Sequence, residues 1–531
     1  MLVAELAVDI LRAAGTRAIF GVPGGGGNLD LIAAAGRAGL PFVLTSTETA
    51  GAIAAIAQAE LTYGVGACLT TLGPGAASVV NGVACASLER AGLMVFTDSQ
   101  PAAFEHQRLD HAALLKPIVK WSGTVPAHGA MQVMVHALDQ ARTGRPGPVH
   151  LDCPAGVMAL EALSDPDVYF TFEHEKPRII DQPVFERLIA QARKPLFIVG
   201  LAARGPDDGI EIWALCGRRG IPAMVTYKAK GAVADGDEWF AGVFTNAAIE
   251  QPLIEESDLL IGVGLDPVEL LPRPWRNKPP IISCNRWKVE DAHVPFAAQV
   301  VAFLQEGLRL VDQAMGADRV TDWDVRRVRA HVDEQRRRVR LAGDGFTAQR
   351  VVDVAAAHFG DSRVRVTVDA GAHMLPATVL WPISEPHDML ISNGLSTMGF
   401  ALPAAIGAAL FDRDHPTIAL TGDGGLLMCA GELLTAAREK LPILTIVFND
   451  ASLSLIEIKQ QARNLPAAGV ALGAVDWVRM AESVGVAGWT ASTEAELDRA
   501  IGQALAFGEP ALIEAKIDRS NYGATLRAVR G

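Results

Sequence analysis

TIALTGDGGLLMCAGELLTAAREKLPILTIVFNDAS, Thr417 to Ser452, is the stretch whose reading decides the rest of the chain. A β-branched run enters Gly422-Asp423-Gly424, a leucine- and alanine-rich stretch of helical composition follows, and a second β-branched run ends at Asn449-Asp450. Two short apolar runs joined through a helix predict parallel strands, whose carboxyl ends lie on one edge of a sheet. Asp423 and Asp450 are therefore expected to converge. Gly422, Gly424 and Gly425 let backbone approach a ligand closely, and a helix beginning near Leu426 points its N-terminus at the same place, which suits an anion. Two side-chain oxygens, phosphate oxygens and a water are what magnesium prefers. A lone GDG has a bland reading as a strand-to-helix turn with Asp as cap; the full strand–GDG–helix–strand–ND arrangement is the more specific signal.

The same alternation of β-branched runs and alanine-rich stretches extends in both directions, which predicts parallel sheets with crossover helices. Residues 347–531 hold RVTVDAG, MLISNG and ALIEAKI besides the opening stretch, and residues 1–160 hold AIFGV, FVLTS, ACLTTLG, LMVFTD and PVHLDC. Residues 184–312 carry PLFIVG, PAMVTY, LLIGVG and PIISCN, but GLAARG after the first of these is not the G-x-G-x-x-G phosphate fingerprint. Charged, proline-containing residues 161–183 read as a linker. Residues 313–346 read as a helical connection, whose run DVRRVRAHVDEQRRRVR fits a solvated helix. The expected fold is α/β, with three doubly wound parallel-sheet domains.

The net charge of -13 leaves no basic excess for nucleic acid or for a polybasic membrane attachment. Six cysteines lie far apart with no C-x-x-C pair, so neither a zinc ribbon nor disulfides are expected. The N-terminal MLVAELAVDILRAAG reads as an amphipathic helix, not a signal peptide. The apolar run from Met398 to Phe411 is too short for a membrane span and contains a proline. A soluble, cytoplasmic protein is expected.

The opening stretch resembles the GDG…NN motif of thiamine-diphosphate-dependent enzymes of the acetolactate synthase, benzoylformate decarboxylase and pyruvate oxidase type. That resemblance implies thiamine diphosphate as cofactor, with Gly422, Asp423, Gly424, Gly425 and Met428 around it. It implies magnesium on Asp423, Asp450 and the carbonyl of Ser452. Asp450 departs from the usual Asn, so the choice between Asn449 and Asp450 as ligand stays open. FGVPGGGG, TSTETAGAIAAIAQ and TTLGPGAASVVNGVACA resemble, in order, the family's pyrimidine-binding domain. There Glu48 takes the place of the catalytic glutamate, with Gly73, Pro74 and Asn81 as cofactor contacts and Thr47 where His is usual. A protonated Glu48 would donate to N1′ of the aminopyrimidine, favouring the tautomer that removes the C2 proton. Burial in an apolar pocket would raise its pKa for that task. NGLSTMGFALPAAIG (Asn393 to Gly407) is similar to GLGTMGFGLPAAIG of acetolactate synthases, which makes Met398 the support beneath the cofactor and the Ser396 carbonyl the acceptor for its 4′-amine. DAGAHM (Asp369 to Met374) resembles the stretch that places His373 near the diphosphate.

The resemblance spans nearly the whole chain and is nearest to acetolactate synthase large subunits. It implies a homodimer or homotetramer with active sites between subunits. The substrate-facing positions would be Gly25, His106, Gln107, Leu455, Ile456 and Lys459. Gln107, Leu455 and Ile456 match carboligases, His106 suits proton relay, and Lys459 stands where the biosynthetic enzymes carry Trp. The expected reaction is decarboxylation of a 2-oxo acid with ligation of the enamine to an aldehyde or second 2-oxo acid. The alternatives are a benzoylformate-type decarboxylase releasing an aldehyde, and a catalytically silent cofactor-binding protein. FAD is possible, but no residue argues for it.

Overall fold

Three sheets, two of six strands and one of seven, each flanked by helices, organise the chain as an α/β fold. The structure is a computed structural model and describes residues 1–100, 103–162, 176–290, 293–340, 345–360 and 362–531. The first sheet runs Phe42–Leu44, Ile19–Val22, Gly66–Thr70, Leu93–Ser99, Pro148–Pro154, Trp121–Thr124, all parallel. The last sheet runs Met389–Ile391, Arg365–Val368, Thr417–Gly422, Ile443–Asn449, Ala511–Lys516, Ala487–Ala491, also all parallel. Counted along the chain, both sheets place their strands in the same spatial order. Gly73-Pro74-Gly75 and Gly422-Asp423-Gly424 therefore occupy equivalent places, each after the third strand of its sheet.

The central sheet runs Phe240–Val243, Ala223–Val225, Pro195–Val199, Leu259–Val263, Ile281–Asn285, Phe296–Val301, with Arg178–Ile180 antiparallel at its edge. That edge strand and the start of helix Gln182–Gln191 fall inside the stretch expected to be a linker. Three residues are too few for alternation to show in sequence. Residues 163–175 of that stretch, and 341–344 of the expected helical connection, lie outside the described residues. In the connection, helix Val325–Val339 buries Val328, His331, Val332, Gln335 and Val339 on one face. Arg326, Arg329 and Arg337 are exposed, Arg337 and Arg338 both pair with Glu334, and Arg336 turns toward the buried Asp235.

Helix Ala401–Phe411, the apolar run too short for a span, is a core helix packed on helix Glu48–Thr62 of the first domain. No helix among the described residues is long and apolar enough to cross a membrane. The two helices approach so closely that a Cβ on Gly407 would lie 2.2 Å from the Ala54 carbonyl oxygen. Gly407→Ala must push the backbones apart, and overpacking of a tight core costs about 1–3 kcal/mol. A lowered thermal unfolding midpoint is the expected result; an unchanged midpoint would show that the helices part freely.

Candidate active site

Asp423 begins helix Asp423–Cys429 directly after its strand, and Asp450 follows the neighbouring strand, so parallel pairing brings them together. Asp423 Oδ1 accepts from the Gly424 amide (2.7 Å), and Oδ2 from the amides of Asp450 (3.2 Å) and Ala451 (2.6 Å). Asp450 accepts from the Ser452 amide (3.0 Å) and the Ser454 hydroxyl (2.6 Å). Burial, and next the Asp450 charge, push the Asp423 carboxyl up to about 6. Burial likewise raises Asp450. Asn449 instead donates to Glu514 Oε1 (2.6 Å), so its amide nitrogen is engaged with the last sheet's next strand. The carboxylate beside Asp423 is that of Asp450.

Around this pair sit Asp369, which has no role in the sequence reading, and several residues that do. Asp369 is fully buried and accepts from the Thr421 hydroxyl (2.9 Å) and the amides of Gly399 (3.1 Å) and Phe400 (3.3 Å). It ties the Met398 loop to the GDG strand, and a Cβ on Gly425 would strike its Oδ2 at 2.3 Å. His373 is buried, its ring stacked 4.9 Å from that of Phe448, and burial lowers it to about 4. It is thus neutral near pH 7, and its Nε2 has no protein partner. Met398 is half-buried, its Cε 3.3 Å from where a Gly424 Cβ would stand. Ser396 is exposed, with left-handed backbone (φ 55°). Asn81 reaches this loop through its amide, which donates to Thr397 Oγ1 (3.0 Å).

The first sheet's edge carries the other predicted group. Thr47 caps helix Glu48–Thr62 by accepting from the Ala50 amide, which fixes Glu48 in the first turn. Glu48 is only partly buried in the single chain, short of the apolar pocket expected for it. Its Oε1 lies 3.1 Å from where a Gly75 Cβ would stand, so the glycine-proline-glycine loop rests on the glutamate. The glycine run Gly24–Gly27 wraps a buried carboxylate: Asp98 accepts from the amides of Gly26 (3.1 Å) and Asn28 (2.9 Å). Gly25 alone in that run has open space before it. His106 and Gln107 are exposed, and the Gln107 carbonyl packs on Gly73.

Among the described contacts none joins Glu48 to Asp423 or Asp450. The two edges are linked instead by Asn81 on Thr397 and by Glu432, whose Oε1 accepts from the amides of Ser46 (3.0 Å) and Thr47 (3.2 Å). On helix Ser454–Ala462, Leu455 packs into the core of the last domain, whereas Ile456 and Lys459, three residues apart, are exposed. Of the pair read as pocket-lining, Leu455 therefore faces inward. Met428 is 60% exposed, which leaves it uncovered within one chain.

Family models cover most of the chain in the order of its three sheets. Residues 1–134 match the thiamine pyrophosphate enzyme N-terminal TPP binding domain, 185–309 the central domain, and 369–515 the C-terminal TPP binding domain. The chain belongs to the thiamine pyrophosphate enzyme family. It is 28% identical to acetolactate synthase of Bacillus subtilis (strain 168), over 98% of this chain and 93% of the relative. It is 28% identical to the catabolic acetolactate synthase of Raoultella terrigena (97% and 95% covered). It is 27% identical to a probable acetolactate synthase large subunit of Methanococcus aeolicus (98% and 92%).

The residues present fit the cofactor such an enzyme carries. A close pair of carboxylates at adjacent strand ends, bordered by glycines, forms a ligand set suited to the divalent cation that accompanies a diphosphate. Were magnesium to bind at Asp423, as the resemblance implies, proton and metal would compete there, and apparent magnesium affinity should fall by about tenfold per pH unit below about 6 and level off above it. The raised carboxyl also means that the metal-free protein loses stability as pH climbs from the ordinary aspartate value of about 3.9 toward 6. Titration calorimetry at several pH values checks the first point, and flat affinity between pH 5 and 7 would contradict it. Asp450→Ala should weaken magnesium-dependent cofactor binding more than Asn449→Ala does.

Proposed function

We propose that this thiamine pyrophosphate enzyme decarboxylates a 2-oxo acid and joins the product to a second carbonyl, in the manner of the acetolactate synthases it resembles. The observation that carries this reading is the Asp423–Asp450 pair, set at adjacent strand ends on the same sheet edge as Met398 and the unpartnered nitrogen of His373. Asp423, Asp450 and the Ser452 carbonyl would hold magnesium, with the diphosphate beside Gly422, Gly424, Gly425 and His373. Thiamine diphosphate, when bound, supplies the carbon nucleophile and electron sink that decarboxylation of a 2-oxo acid requires.

The chain's own residues then have definite tasks. Met398 supports the cofactor from beneath, and the Ser396 carbonyl accepts from its amine. Glu48 holds a proton at the pyrimidine N1′. Partial exposure of Glu48, Met428 and Ile456 within one chain supports a homodimer or homotetramer in which a second copy closes each site. Gly25, His106 and Gln107 would line the substrate side, with Ile456 and Lys459 facing it, the lysine suited to an anionic acceptor. The relatives reported above bear the name acetolactate synthase, which supports ligation over simple release of an aldehyde.

Incubation with thiamine diphosphate, magnesium and a panel of 2-oxo acids, with and without acceptor aldehydes, should yield carbon dioxide together with a ligated product. Absence of carbon dioxide from every acid overturns the reading; carbon dioxide with aldehyde alone moves it to the simple decarboxylases. Glu48→Gln should slow C2 proton exchange of bound cofactor by roughly 10²–10⁴-fold while leaving binding largely intact. Unchanged exchange in that variant would refute the task given to Glu48.

A further inference from the structure

Behind the Gly73-Pro74-Gly75 loop lies a buried chain of polar side chains for which the proposed chemistry has no use. His111, 3% exposed, opens the short helix His111–Leu115, and its Nε2 accepts from the Gly73 amide (3.1 Å). Because Nε2 accepts, the ring proton is on Nδ1, which lies 2.9 Å from Asp152 Oδ1 and donates to it. Thr97 also donates to that oxygen (2.5 Å), so the Thr97 oxygen must accept from His150 Nε2 (2.7 Å), and His150 Nδ1 accepts from Ser122 (2.7 Å). His111, His150 and Asp152 offer ligand atoms within 4.8 Å of one another, as a metal site does. Yet every ring nitrogen already has a protein partner, and the hydrogen bonds from both ends run toward Asp152. The cluster is a tautomer lock, not a cation site.

Its output is the Gly73 backbone. Gly73 sits at φ 52°, and a Cβ there would strike the Gln107 carbonyl oxygen at 2.3 Å. That amide is therefore held on one side by His111 while the loop carries Gly75 against the Glu48 carboxylate two residues on. We propose that His111, oriented by Asp152, is a positioning residue that sets the glycine loop against Glu48 and thereby the direction of the Glu48 carboxylate. This rests on the task proposed for Glu48. Loss of the acceptor leaves a buried amide unsatisfied, and the loop shifts to regain a partner. In a reaction that depends on one aligned proton, a small shift of the carboxylate lowers rate more than binding.

Two substitutions separate positioning from mere packing. In His111→Asn the amide reaches Asp152 but stops short of Gly73; in His111→Gln an oxygen reaches the place of Nε2. With the full-length protein saturated in thiamine diphosphate and magnesium, His111→Asn should slow C2 proton exchange at least about tenfold, and His111→Gln should restore most of it. Asp152→Leu, close in shape but apolar, removes the acceptor that keeps the imidazole proton on Nδ1, so the tautomer that accepts from the Gly73 amide is no longer favoured and the same loss should result, which serves where His111→Asn folds poorly. Wild-type exchange in both His111→Asn and Asp152→Leu at saturating cofactor, or equal loss in His111→Asn and His111→Gln, overturns the proposal. Deuterium uptake of the peptide containing Gly73 distinguishes its failure from that of Glu48. If wild type itself fails to accelerate C2 exchange, the task of Glu48 falls. The Gly73 amide should still be slow in wild type and His111→Gln and fast in His111→Asn, and equal uptake in all three overturns the role of His111.

Discussion

Lys228 has no solvent exposure, and its ammonium lies 2.6 Å from Glu60 and 3.1 Å from Glu89 while donating to the Ile391 carbonyl (3.1 Å). Those partners come from the first and last domains, and the lysine from the central one, so a single cation joins all three. Arg204 adds a second positive charge on Glu60 (3.0 Å), which balances the two carboxylates. Burial alone would raise Glu60, but Arg204 and Lys228 outweigh it and bring the carboxyl down to about 2. His387 in the same cluster is driven to about 3, first by burial and then by Arg204, and so stays neutral. A buried charge stripped of one partner costs about 3–5 kcal/mol, so no domain can shift against the others without a large penalty. Glu89 passes that rigidity onward: its second oxygen accepts from the Ser392 hydroxyl and from the amides of Gly394 and Leu395. The loop leading to Ser396 and Met398 is thereby placed by charges outside its own domain.

The parts of the site legible in sequence are those that chain neighbours determine. A β-branched run ending in Gly422-Asp423-Gly424 and another ending in Asn449-Asp450 can pair in parallel in one way, and the structure pairs them so. The glycine-proline-glycine loop and the Met398 stretch were readable for the same reason, since each is a strand end with its own local residues. The identical strand order of the two outer sheets was visible only as a shared alternation, because strand order depends on which edges remain free after packing.

What sequence did not disclose are carboxylates acting across long separations. Glu432 holds the amides of Ser46 and Thr47 from 386 and 385 positions away, and Asp369 gathers Gly399, Phe400 and Thr421. No periodicity announces such contacts, since a buried acid in a helix or strand end reads like a cap or a solvated residue. Glu48 shows the converse. Its place in the helix first turn followed from Thr47 and the alanine-rich run, but its degree of burial depends on what packs over the helix end, and the single chain leaves it partly open.

Asp450 in place of Asn makes a difference that geometry and charge can state together. Asp450 takes the Ser452 amide on one oxygen and the Ser454 hydroxyl on the other; an Asn would accept from the amide with its oxygen and donate to the Ser454 hydroxyl oxygen with its nitrogen, so hydrogen bonding alone does not require a carboxylate. The added charge instead raises Asp423, after burial the largest cause of that rise. Glu457 raises Asp450 as well, but Arg519, 2.7 Å from Glu457, counters that contribution, so the excess negative charge lies in the aspartate pair itself. The metal-free site is therefore under electrostatic strain, and protonation or a divalent cation relieves it. Under the proposed function, the substitution makes the edge more dependent on its metal than an Asn would, because a diphosphate approaching the two aspartates meets repulsion until a cation stands between them.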